Sequence, residues 1–159
     1  MYFWRIEKLK SELAAHPMSD RDVLPYVVVE AVLTSALTSI TMAFPVSSYN
    51  IWNLLGTGWS IALAVLGTIY IFRQNGGVRG QQFLPRYFAL GWVVGWRWFA
   101  LYVSLIWMLM FVGIIEDDTN ACEFLVGAVA ELLLFAWIGK HVRDVALATA
   151  DSVVHAQSA

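Results

Sequence analysis

Residues 51–72, IWNLLGTGWSIALAVLGTIYIF, run for 22 positions without an Asp, Glu, Lys or Arg, and Arg73 follows at once. A helix of roughly 20 apolar residues crosses a ~30 Å hydrocarbon layer, so this stretch reads as a membrane span. Three further apolar stretches lie outward from it, at 23–44, 87–115 and 124–139. The 87–115 stretch is longer than a span requires, which implies tilt or an extension. The 124–139 stretch is short and is expected to run on into KHVRDV.

Composition agrees with this reading. The chain has 159 residues, of which 59% are hydrophobic and 14% charged, far from the usage of a soluble domain. The expected fold is all-α: a single domain over 1–159 built as a four-helix transmembrane bundle. An amphipathic interfacial helix over 1–16 precedes the spans, and a cytoplasmic helical extension over 140–159 follows them. The first 22 residues lack an apolar core of 7 to 15 residues, so the first span is expected to act as its own insertion signal.

The net charge of -2 says little, because the charges are segregated along the chain. Arg5, Lys8, Lys10 and Arg21 precede the first span, Arg73, Arg79 and Arg86 separate the second and third, and Lys140 and Arg143 follow the fourth. The other two connections carry neither Lys nor Arg. The positive-inside rule then puts both termini in the cytoplasm and the chain in a plasma or inner membrane. Tyr26, Tyr70, Tyr87 and Trp137 fall near the inner boundary, and Tyr49 and Trp52 near the outer one.

Near the N-terminus, Phe3, Ile6, Leu9 and Leu13 recur at helical spacing opposite Arg5, Lys8 and Glu12. With Trp4 and its basic neighbours the helix suits the inner membrane surface; the alternative is a helix folded against the ends of the spans. Ser19 and Asp22 resemble a helix start, and Pro25 falls within the early turns that tolerate it. The connection RQNGGVRGQQFLPR, 73–86, reads as a flexible loop with topogenic charge. After the fourth span, Val142, Val145, Ala146, Thr149 and Val153 continue a helical stripe.

Three charged residues interrupt the apolar stretches: Glu30, Arg97 and Glu131. At about 1.5 Å of rise per residue they lie roughly 7 to 15 Å in from the same membrane face, so they can meet if their helices are neighbours. A central charge costs about 2.5 to 3.5 kcal/mol on insertion scales, and an ion pair at 4 Å in an effective dielectric near 20 returns about 4. Two carboxylates and one guanidinium therefore leave one acid that must protonate, reach water or bind a cation. Thr34, Thr38 and Thr41 follow Glu30 at i+4, i+8 and i+11, as a polar path would, with Ser35 and Ser39 flanking. The competing reading is a static clamp between helices.

Gly91 with Gly95, and Gly56 with Ser60, form small-xxx-small pairs suited to close helix packing. Trp92 and Trp96 make a ridge beside the first pair, a face that could hold an apolar ligand. In the connection 116–123, Glu116, Asp117, Asp118 and Glu123 match no calcium-loop spacing. Asn120 and Glu123 look like the cap and third residue of a helix N-terminus.

An enzymatic site is not expected. His16, His141 and His155 lie outside the spans, the lone Cys122 permits no internal disulfide, and no cofactor or metal pattern is present. Nucleic acid is not an expected partner. The expected function is an oligomeric transporter or channel subunit for a small cation or proton-coupled solute, with Glu30 or Glu131 titrating against Arg97. The alternative is a non-transporting scaffold, assembly factor or accessory subunit. Expected partners are the bilayer, further copies of the chain, and a cytoplasmic or membrane protein.

Overall fold

The computed structural model describes residues 5–15, 18–43, 50–113 and 120–157, with the side chains of 20, 37–43 and 152–157 outside that set. The chain is all-helical: α1 (Ile6–Ala15), α2 (Asp20–Ala43), α3 (Ile51–Gln74), α4 (Phe83–Phe111) and α5 (Ala121–Gln157). Helices α3, α4 and α5 are each long and apolar enough to cross a membrane. The apolar stretches set these helices to within a few residues, except that α4 starts before 87 and ends at Phe111; α5 runs on past Gly139 through KHVRDV, as the short fourth stretch required.

Helix ends follow from local chemistry. Asn50 Oδ1 accepts the backbone N–H groups of Trp52 and Asn53 at 2.9 and 3.2 Å, capping α3. Asn120 does the same for α5, accepting from Cys122 and Glu123 at 2.9 and 3.0 Å, as the sequence suggested. Such side chains satisfy donors that the first helical turn cannot. Ser19 donates both its hydroxyl and its backbone N–H to Asp22 Oδ2, at 2.7 and 3.3 Å, ahead of α2. Helix α3 stops where Gly76 turns to φ 95°, and its N–H bonds back to the Arg73 carbonyl.

Among the described residues the four long helices pack in the order α2, α4, α5, α3. This is an open row, because α5 contacts both α3 and α4 while α2 rests chiefly on α4. Helices α3 and α5 run parallel, and two glycines bring them together. A Cβ on Gly67 would overlap the Phe135 ring, with Cγ at 2.6 Å, and a Cβ on Gly139 would overlap Tyr70, with Cζ at 3.2 Å. Each aromatic ring thus sits on the other helix's glycine.

The closest α3–α5 approaches are thus at Gly67 and Gly139, while Ser60 also faces α5, 2.7 Å from Glu131. Gly91 and Gly95 have nothing within 4 Å of a Cβ position, and Gly56 has only Phe124 at 4.0 Å. Membrane helices associate through such backbone approach, since lipid supplies no hydrophobic drive between them.

The core runs across the row at one end of the helices. Ile71, Ala89, Leu90, Val93, Val94, Val142 and Val145 are at most 1% exposed, and Ile6, Leu9 and Leu13 of α1 join them. Helix α1 thus turns its apolar stripe onto α4 and α5. Of the segment expected at the membrane interface, residues 6–15 fold against the ends of the spans, where α5 beyond Gly139 presents its own stripe through Val142 and Val145. Phe3 and Trp4 lie outside the described residues. Lys10 Nζ clamps the contact to Asp144 Oδ2 at 3.0 Å and also reaches Glu7 at 3.4 Å. Burial pushes the Lys10 pKa down, but the hydrogen bond and charge of Asp144, with Glu7, outweigh it and raise the value.

The 73–86 connection is likewise less free than expected. Arg86 lies in α4 and is 2% exposed; it donates to Asn75 Oδ1 at 3.0 Å and to Thr149 Oγ1 at 2.8 Å. Gly80 packs so closely over Asn75 that a Cβ there would overlap its carbonyl.

Candidate functional site

A crevice of about 230 Å³ opens between α3 and α5 and is reached by one side chain of α4. Its polar walls form a ladder. Asn53, Thr57 and Ser60 descend α3 at i, i+4 and i+7, and Glu123 and Glu131 descend α5 eight residues apart, or about 12 Å along the axis. Gly127 lies between the two acids, and the Tyr102 hydroxyl of α4 comes within 3.6 Å of where a Cβ on that glycine would lie. No Lys or Arg lines the crevice.

Glu131 sits farthest from the capped ends of α3 and α5. Ser60 donates its hydroxyl to Glu131 Oε1 at 2.7 Å, while Oε2 is buried with no hydrogen-bond partner. The indole N–H of Trp59, which also lines the crevice, is buried and unpartnered as well. An unpartnered oxygen of an ionised carboxylate is costly where water does not reach it. Taking up a proton, or holding a cation among the ladder oxygens, removes that cost. A space of this size also has room for several waters, each about 30 Å³ in the liquid.

The two intramembrane carboxylates border different cavities. Glu30 is exposed and borders a different cavity, between α2, α4 and α5, with Thr34 beside it. Glu131 faces α3 instead, because it shares a helical face with Glu123 and Gly127. Among the described residues no ion pair joins Arg97 to Glu30 or Glu131. The reason is the open row: α2 packs on α4 away from α3, so carboxylates of similar depth open to different sides. Thr34 lines the same cavity as Glu30. The side chains of Thr38, Ser39 and Thr41 lie outside the described residues, as do Tyr49, Glu116, Asp117, Asp118, His16 and the side chains of Val153 and His155.

Sequence reasoning gave Ser60 a packing role and overlooked Asn53, Thr57 and Tyr102 as site residues. The available signal was their spacing: 53, 57 and 60 share one face of α3, as 123, 127 and 131 share one of α5. Cys122 is exposed beside the cap of α5. No protein-family model, no curated protein and no solved structure matches the chain, so any functional reading rests on these residues themselves.

Proposed function

We propose that this chain is a four-span membrane protein, both termini cytoplasmic, acting as an oligomeric transporter or channel subunit for protons or a small cation, with Glu131 as the titrating group. The observation that carries this reading is the buried, unpartnered Oε2 of Glu131 at the deep end of a polar ladder without basic residues. A static clamp needs a partner for each buried charge; among the described residues Glu131 has only the Ser60 hydroxyl. Ser60 holds the carboxylate toward the crevice, Glu123 at the entrance concentrates cations, and Tyr102 narrows the space between them. Helix α2, built on the apolar 23–44 stretch, supplies the fourth span, and further copies of the chain cover the open ends of the row. The scaffold alternative draws less support, since the apolar stripe of α1 is already covered.

Reconstituted protein tests this directly. In liposomes loaded with a pH-sensitive dye and driven by a potassium diffusion potential, wild-type protein is expected to carry protons, or Na⁺ in the parallel assay, well above the protein-free rate. Glu131→Gln should return the flux to that baseline, and Glu131→Asp should keep part of it. Wild-type liposomes that pass neither ion would sink the transport reading.

Orientation has its own test, because the chain holds a single cysteine. A membrane-impermeant maleimide should label Cys122 on intact cells expressing the chain. Labelling that appears only after lysis would reverse the assigned topology.

A further inference from the structure

The cavity between α2, α4 and α5 has a chemistry of its own. It holds about 400 Å³, within the range of sites for drug-sized molecules, roughly 300 to 1,000 Å³. Its walls are almost wholly apolar and aromatic, with Trp92, Trp96 and Phe99 prominent. Gly91 and Gly95 leave its α4 side open, since a Cβ at either would meet nothing within 4 Å. The rings of Trp92 and Trp96 meet edge to face at 5.6 Å, and those of Trp96 and Phe99 at 5.8 Å. Trp92 is buried beneath this wall, but Trp96 is 39% exposed, and a cation over an aromatic face is attracted by the ring quadrupole.

One carboxylate borders this greasy space. Glu30 makes no hydrogen bond or ion pair with any other described residue, and Lys and Arg are missing from the cavity walls. A neutral hydrocarbon would fill the space but leave the acid without a counter-charge, and an anion would be repelled. A solute that is both bulky and positively charged satisfies the rings and the carboxylate together.

We propose that this cavity is a binding site for a lipophilic monovalent cation, an aryl or alkyl quaternary phosphonium or ammonium ion, with Glu30 as counter-charge and the Trp92–Trp96–Phe99 rings as its apolar and cation–π wall. Aliphatic Leu33, Leu134 and Ile138 complete the enclosure. The site stands apart from the α3/α5 crevice and does not depend on Glu131.

Equilibrium binding of radiolabelled tetraphenylphosphonium to the purified full chain, in detergent and in nanodiscs, tests the assignment. Saturable binding is expected in wild type, and tetraphenylborate, of the same shape and opposite charge, should fail to compete. Glu30→Gln should weaken binding by at least about tenfold, as loss of an ion pair in a partly dry site implies, whereas Glu30→Asp should retain most of it. Trp96→Ala should weaken it by about fivefold. Gly91→Leu combined with Gly95→Leu should abolish it by filling the space; an unchanged thermal midpoint shows that this variant is folded, and Trp96→Ala supplies an independent reading of the same wall. Glu131→Gln should bind as wild type does, so the site stands even if the transport reading falls. Equal affinity in Glu30→Gln, competition by tetraphenylborate, retained binding in the double leucine variant, or loss of binding in Glu131→Gln alone would each overturn it.

Discussion

Gly67→Leu is expected to force α3 and α5 apart and to lower the unfolding free energy by about 3 kcal/mol, the upper range for overpacking a filled contact. Even a Cβ at this position overlaps the Phe135 ring as far as its Cγ, so a small shift of the ring tip does not relieve the clash. Phe135 can yield only by swinging toward the cavity it borders between α2, α4 and α5, which forfeits the contact. Phe135→Ala should therefore restore more than half of the loss when combined with Gly67→Leu, although alone it destabilises by about 3 kcal/mol through the void it leaves. The coupling of the two substitutions, measured by reversible denaturation in mixed micelles, is the decisive quantity. A loss below about 1 kcal/mol in Gly67→Leu, or no rescue, would show that α3 and α5 do not meet through this face. The same substitution bears on function: Gly67 lies two turns from Ser60, so splaying the helices also separates Ser60 from Glu131 and should lower ion flux without altering a polar residue of the ladder.

Much of this architecture is legible in the sequence, for identifiable reasons. Hydropathy sets the long helices, since a run such as 51–72 has no alternative way to satisfy its backbone in lipid. Asn120 and Ser19 mark helix starts because capping is a local interaction. The amphipathic spacing of Ile6, Leu9 and Leu13 reveals a buried face but not what buries it. That requires knowing that Val142 and Val145, more than 120 residues later, offer a matching stripe. The order of the helices was not legible either: depth along each span says that Glu30, Arg97 and Glu131 share a layer, but azimuth and neighbour relations decide whether they meet. Gly67 and Gly139 were passed over because each acts alone opposite an aromatic ring, whereas the small-xxx-small pattern asks for pairs. The ladder of Asn53, Thr57, Ser60, Glu123 and Glu131 needed two helices read together in a parallel register.

Arg86 supports the second large effect. Its guanidinium is almost wholly enclosed, with Nη1 donating to Asn75 Oδ1 at 3.0 Å and Nη2 to Thr149 Oγ1 at 2.8 Å. Asn75 in turn donates to the Gln81 carbonyl at 3.1 Å, and Thr149 donates to the Val145 carbonyl at 2.8 Å. One planar group thus ties the end of α3, the 76–82 connection, the first turn of α4 and the far part of α5. Lysine cannot reproduce this, because a single ammonium on a flexible stem cannot match a rigid fork aimed at two separate acceptors. Arg86→Lys is expected to cost about 2 kcal/mol through a hydrogen bond lost to the buried Asn75. Arg86→Ala should cost about 3 kcal/mol or more, since it adds a void to the unsatisfied amide. Thr149→Val, which leaves Asn75 and its guanidinium bond intact, should cost only about 1 kcal/mol, and its effect should largely vanish in the Arg86→Ala background. Independent, additive losses at the two positions would mean that the guanidinium does not join α4 to α5. The far part of α5 would then be held by its apolar packing on α1 and α4 through Val142 and Val145, and by the Lys10–Asp144 pair.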